Sequence, residues 1–216
     1  MQDEKYFFQY LYSSGYIKSL CFGYFNVINF NYNTIRQTSK GVIVMNNKNR
    51  ISTKMLCVTA MFMALTVATS SFSIPVPGGH LYFCDAVICT AAILLDPLLA
   101  FCVGGIGSFI GDMLFYPAPM FVSLASHGLQ AVIASYCVRK FTNMKPVVAG
   151  TIGVVVGGIV SVIGYTLGRA FVYATVESAI IKLPFAFLQA GVGAVIAVVL
   201  CYNCHLIEIF NKHFKK

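Results

Sequence analysis

From Lys54 to Tyr202 the chain is a succession of apolar stretches, each broken by Pro, Gly or charge and most close to the ~20 residues that a bilayer-crossing helix needs. The first runs from about Met55 to Phe72. Ser73 to His80, which reads Ser-Ile-Pro-Val-Pro-Gly-Gly-His, interrupts it and predicts a loop. The stretch from Leu81 to Phe115 is too long for one straight span, and Asp96-Pro97 divides it. It predicts a tight hairpin of two helices, each near the lower limit of ~17 residues. Tyr116-Pro117-Ala118-Pro119 is the next loop. A fourth span covers about Met120 to Val138 and is closed by Arg139-Lys140. A fifth covers about Pro146 to Leu167. A loop is expected around Arg169 to Lys182, then a sixth span over about Leu183 to Tyr202 and a basic tail. Only 10% of the 216 residues are charged and 58% are hydrophobic, against about 25% charged in a soluble domain. The pattern predicts an all-α integral membrane protein, a bundle of six transmembrane helices with the lipid bilayer as its solvent.

The net charge of +8 does not indicate nucleic acid, because the basic residues form no stripe and sit at segment ends. With the start of the first span inside, the inner face receives Lys48, Arg50, Lys54, Arg139, Lys140, Lys145, Lys212, Lys215 and Lys216. The outer face receives only Arg169 and Lys182. This asymmetry predicts a multi-pass membrane protein with both termini cytoplasmic. Residues 1–44 differ from the rest: Tyr6 to Tyr32 mixes Tyr, Phe and Asn with Ser and Gly. They are expected to be a non-native or disordered N-terminal extension, with a start at Met45 and the membrane domain over residues 45–216.

Small residues recur at four-residue spacing, as at Ala60 and Ala64, Gly107 and Gly111, Gly153 and Gly157, and Gly164 and Gly168. Such ridges let helix backbones approach closely where lipid supplies no hydrophobic drive. Ala60 and Ala64 stand among the large residues Met61, Phe62, Met63 and Leu65, so their stripe is also a candidate groove for a partner helix. The sequence contains no Gly-x-x-x-x-Gly-Lys-[Ser/Thr] loop for ATP. It also has no Gly-x-Ser-x-Gly and no His-Glu-x-x-His, so no catalytic residues, cofactor or metal are expected. Cys201-Tyr202-Asn203-Cys204-His205 fits the haem-attachment pattern, but the predicted topology puts it on the cytoplasmic face, the wrong side for that chemistry. The eight cysteines lie mostly in apolar runs and read as small buried hydrophobes rather than a disulfide framework.

Six polar groups fall on the predicted outer half of the bundle: His80, Asp85, Asp112, His127, Arg169 and Glu177. Ionisable groups in or beside membrane spans are costly and mark functional sites by default. Asp85 also suits a helix N-terminus, where the dipole favours a carboxylate, and His127 also suits internal packing. Glu177 and Lys182 read as a solvated loop. Arg169 can bind an anionic group or pair with Asp112 or Asp85. Tyr82, Phe83, Phe115, Tyr116, Tyr165, Phe171 and Tyr173 lie at the same level. They suit an interfacial aromatic belt or a pocket wall that stacks on a planar ligand.

From about Thr53 to Leu200 the chain resembles the substrate-binding S components of energy-coupling factor (ECF) vitamin transporters, in the group with riboflavin-type S components. The resemblance is carried by several pieces in order. They are Ala60-x-x-x-Ala64, Cys84-Asp85-Ala86, Gly104-Gly105-Ile106-Gly107-Ser108 with Gly111-Asp112-Met113-Leu114, Pro119 with His127-Gly128, and Leu183-Pro184-Phe185 with Leu188-Gln189. It implies a non-enzymatic subunit in a bacterial cell membrane that captures a vitamin from outside. That subunit docks through Ala60 and Ala64 on a membrane T component carrying two cytoplasmic ATPases. The residues expected to bind the substrate are Asp85, Asp112, His127, Tyr165, Arg169 and Gln189. His127 stands where the family has Lys, Ala186 where Asn is frequent, and Arg169 where relatives often have an acid. Riboflavin, pyridoxine-like and hydroxymethylpyrimidine ligands therefore all stay open. The alternative reading is a stand-alone ion-coupled carrier of small molecules.

Overall fold

The computed structural model describes residues 52–214 apart from Gly78, Thr142 and Asn143. The expected extension over residues 1–44 and the start at Met45 lie outside the described residues. The elements are helix α1 (Thr53–Ser70), a hairpin of β1 (Ser73–Val76) and β2 (Gly79–Tyr82), and helix α2 (Cys84–Leu94). Helices α3 (Pro97–Phe115), α4 (Met120–Lys140), α5 (Pro146–Tyr173) and α6 (Val176–Asn203) follow, and a short α7 (Leu206–Phe214) ends the chain. In α3, α5 and α6 part of the helix widens into a π turn, at Cys102–Gly107, Arg169–Tyr173 and Val199–Asn203.

Helices α1, α3, α4, α5 and α6 are long and apolar enough to cross a membrane; α2 is apolar but has only 11 residues. At 1.5 Å per residue α2 is about 17 Å long, roughly half the ~30 Å hydrocarbon thickness. The expected pair of near-17-residue helices is corrected accordingly. The hairpin takes up the chain as far as Tyr82, and Leu95 and Asp96 are extended before Pro97 opens α3. The predicted break at Asp96-Pro97 is where the chain turns: Asp96 precedes the first residue of α3 and accepts a bond from Arg139 Nε (3.0 Å) near the end of α4. A helix this short need not meet lipid if its neighbours enclose it, and ten of its residues, Asp85 among them, are buried.

The loop expected from Arg169 to Lys182 is also corrected. Arg169 to Tyr173 continues α5, and α6 begins at Val176, where the Thr175 side chain accepts from Ser178 N–H as an N-cap. Pro184 lies inside α6 and marks no boundary. The segment Ser73 to His80 is largely β structure, with Ser73 opposite Tyr82 and Pro75 opposite His80 in an antiparallel pair.

Side chains are distributed as a lipid-facing bundle requires. On α5 the buried row is Ala149, Gly153, Gly157 and Ser161 beside Gly150, Val154, Gly158 and Val162. Val147, Val155, Ile159 and Ile163 of the same helix are exposed. Small residues face protein and large apolar ones face outward, because close backbone approach, not apolar burial, holds helices together in lipid. A Cβ on Gly157 would lie 2.7 Å from Gln130 O and 3.1 Å from Ala134 Cβ of α4. Gly157→Val should therefore cost about 1–3 kcal/mol, the usual penalty of overpacking. Thermal unfolding in detergent measures it. Gly191→Val, where an added Cβ meets nothing within 4 Å, should leave the transition in place. Equal behaviour of the two variants would remove this account of the α4–α5 seam.

Candidate ligand-binding site

The hairpin closes one end of the bundle, and beneath it lies a cavity with about 680 Å³ of empty space counting its open mouth. Its walls come from β2, α2, α3, α5 and α6. The opposite end carries Arg139, Lys140 and α7.

Two chains of hydrogen bonds run through the walls. In the first, His127 Nδ1–H donates to Gln130 Oε1 (2.7 Å), and Gln130 Nε2 donates to Asp85 Oδ1 (3.0 Å). Because the amide oxygen can only accept, this places the proton on Nδ1. Gln189 Nε2 donates to Asp85 Oδ2 (2.5 Å), and Gln189 Oε1 accepts from the Tyr82 backbone N–H (3.2 Å). Asp85 thus ties α4, α6 and the hairpin together. In the second chain Tyr165 OH donates to Ser123 Oγ (2.5 Å), which donates to Asp112 Oδ2. The rings of His127 and Tyr165 meet edge to face at 4.9 Å and join the two chains. Asp85 is 3% and Asp112 7% exposed. Burial at that level is tolerable only because each carboxyl group has partners.

Sequence places these groups through helical spacing. Ser123, His127 and Gln130 are four and three residues apart on α4 and so share one face. Asp85 occupies the first turn of α2. Gly193 lets α6 come close to it: a Cβ there would lie 2.7 Å from Asp85 Cβ. One turn earlier on α6, Gln189 then reaches the carboxyl group. Tyr82 lines the cavity, and burial, followed by the proximity of Asp112, pushes its phenol above the ordinary range, so it remains a protonated donor.

At the mouth, the Arg169 guanidinium stacks over the Tyr173 ring at 5.2 Å, and its Nη1 donates to Ser178 Oγ (3.4 Å). It also abuts Gly79, whose φ of 152° suits glycine and where a Cβ would lie 3.0 Å from Nη2. Lys182 Nζ donates to the carbonyl of the adjacent His80.

Asp85, Asp112, Tyr165, Arg169 and Gln189 all line this one cavity. His127 is 3% exposed and outside the lining, behind Asp85, where Gln130 links them. Glu177 is exposed in the first turn of α6 and takes no part. Lys182, read from sequence as part of a solvated loop, is only 9% exposed and lines the cavity from α6. Gln130 and Ser123 were missed, although polar residues at positions 123, 127 and 130 of an apolar helix form a readable stripe.

Ala60 and Ala64 lie away from the cavity, exposed on α1 in a row with Cys57 and Ala68. The Cys-x-x-Cys-His sequence is the end of α6 and the turn into α7. There Cys201 is buried, and His205, with φ 54°, donates from Nδ1 to Glu208 Oε1 (3.1 Å). Among the described residues no three His, Cys, Asp or Glu side chains converge as a metal site.

A sequence model described as "ECF-type riboflavin transporter, S component" matches residues 50–205. A Pyrococcus woesei protein named "Uncharacterized protein in gap 3'region" is 34% identical over 141 residues, which span 64% of this chain and 93% of that protein.

Proposed function

The chain belongs to the ECF-type riboflavin transporter S component family, and from that premise we propose that its cavity is the vitamin site of an importer powered by other subunits. The family is one of vitamin uptake and not an enzyme family. The observation that carries the reading is the cavity under the hairpin. It is a mostly enclosed space edged by Tyr82, Tyr165 and Tyr173, with Asp85, Asp112 and Gln189 fixed in its walls. Aromatic surfaces with a few placed polar groups suit a planar heterocycle the size of a vitamin. Asp85, Asp112, Tyr165, Arg169 and Gln189 contact it in this reading, and His127 positions Asp85 through Gln130.

α2 counts as the sixth membrane segment, enclosed by the other five. The basic end of the bundle faces the cytoplasm with both termini, and the hairpin end faces outward, following the positive-inside asymmetry. The exposed row at Cys57, Ala60, Ala64 and Ala68 is the surface for a T component helix, and two ATPases on that partner supply the energy. The sequence itself has no P-loop.

Reconstitution tests the whole scheme. Proteoliposomes holding the chain with its T component and ATPases should accumulate labelled riboflavin or a related vitamin only when ATP is enclosed. The chain alone should bind but not accumulate. Accumulation by the lone chain, lost on adding an ionophore, would establish the ion-coupled carrier instead.

A further inference from the structure

Lys182 is buried near the hairpin end of an apolar helix, where a charge is costly unless compensated. Its ammonium reaches the His80 carbonyl but forms an ion pair with no carboxylate among the described residues. The two carboxyl groups of the cavity are engaged elsewhere: Asp85 with Gln130 and Gln189 and 3.6 Å from His127 Nδ1, Asp112 with Ser123. Arg169 brings a second positive charge against Gly79, the residue next to His80, so both cations converge on the same stretch of β2. Two more polar atoms of this cavity, His80 Nδ1 and Tyr173 OH, are buried with no hydrogen-bond partner. Such orphans are rare because each forfeits its hydration with nothing in return. A ligand group with negative charge and several acceptor oxygens would compensate Lys182 and give both orphans a partner.

We infer that the mouth of the cavity holds an anionic group of the ligand, a carboxylate or a phosphate, between Lys182 and Arg169. Its oxygens accept from the Lys182 ammonium, the Arg169 guanidinium, Tyr173 OH and a proton on His80 Nδ1. The Asp85 and Asp112 end then faces the ligand's ring and its N–H or O–H donors. The substrate class is an aromatic heterocycle carrying an acidic substituent, rather than a neutral vitamin. This rests on the reading of the cavity as the vitamin site and adds the charge of what enters it.

The test compares acids with their neutral parents on the purified full-length chain in lipid nanodiscs. The probes are riboflavin against riboflavin 5′-phosphate, and pyridoxine against pyridoxine 5′-phosphate and 4-pyridoxate. In at least one set the acid should bind about tenfold or more tighter than its parent, as a charge-assisted contact allows. The phosphate and carboxylate arms identify which anion is used. Lys182→Met should close the gap by weakening the acid about tenfold more than the parent, and continued binding of the parent shows the variant to be folded. Lys182→Arg should keep the gap. Parents that bind as tightly as their acids would overturn the anion site and leave vitamin binding standing. Equal weakening of parent and acid by Lys182→Met would overturn it too, since it would make Lys182 a structural residue. Binding of none of the probes would overturn both readings.

Discussion

Tryptophan at Ala60 or at Ala64 should stop uptake and leave ligand binding intact. Both alanines are exposed on α1, and the flanking Met61 and Leu65 are 71% and 48% exposed. The row with Cys57 and Ala68 is a shallow channel edged by larger side chains, the relief that lets a second helix come close in lipid. An indole fills it and holds the partner off. No residue of α1 lines the cavity, so the ligand site has no reason to change. A loss of about 1.4 kcal/mol in association would already cut complex formation about tenfold at subsaturating partner, and a clash along a helix face exceeds that. Uptake in proteoliposomes containing T component and ATPases measures the first effect; ligand titration of the isolated chain measures the second. Normal transport by both variants would show that the partner docks elsewhere.

Asp85→Ala should have the largest effect on binding itself. Its carboxyl group is the meeting point of Gln130 on α4 and Gln189 on α6, and Gln189 in turn holds the Tyr82 backbone. Removing it takes the carboxylate acceptor from the amides of buried Gln130 and half-buried Gln189 and slackens the wall on which the hairpin rests. Hydrogen bonds to charged groups are worth about 1.5–3 kcal/mol, so affinity should fall about 10- to 100-fold. Asp85→Asn keeps the shape but turns a donor toward one of the two glutamines, and should fall between wild type and alanine. Direct titration of the vitamin checks both. An alanine variant within about twofold of wild type, too small a change for a lost charge-assisted bond, would take Asp85 out of the site.

The membrane class and most helix positions were legible because apolar length is a strong signal and Pro, Gly and charge punctuate it. Asp96-Pro97 and Arg139-Lys140 were correctly read as turning points. The exceptions have separate causes. Arg169 to Lys182 looked like a loop because it is less apolar than its flanks, yet helix continues wherever the backbone can bond internally, and Lys182 is tolerated there because it lines a cavity. The hairpin was hidden by two prolines, Pro75 and Pro77, that usually discourage strands. Of the site, five of the six residues expected at the ligand converge on one cavity. That grouping came through the family resemblance and the rarity of ionisable groups in apolar spans. The sequence alone could not show that His127 stands behind Asp85, because spacing along α4 gives the shared face but not the depth of each side chain.

The brevity of α2 bears on how the protein meets different bilayers. The five helices long and apolar enough to cross a membrane can each tilt to match a thicker or thinner bilayer, at a cost of fractions of a kcal/mol per Å. An inner rod of 11 residues, almost entirely screened from acyl chains, has no such matching to do. Phe83 alone separates it from the hairpin, so Asp85 keeps a fixed depth below β2 however the surrounding staves lean. Lipid composition should then alter how readily the protein meets its partners more than how tightly it grips its cargo.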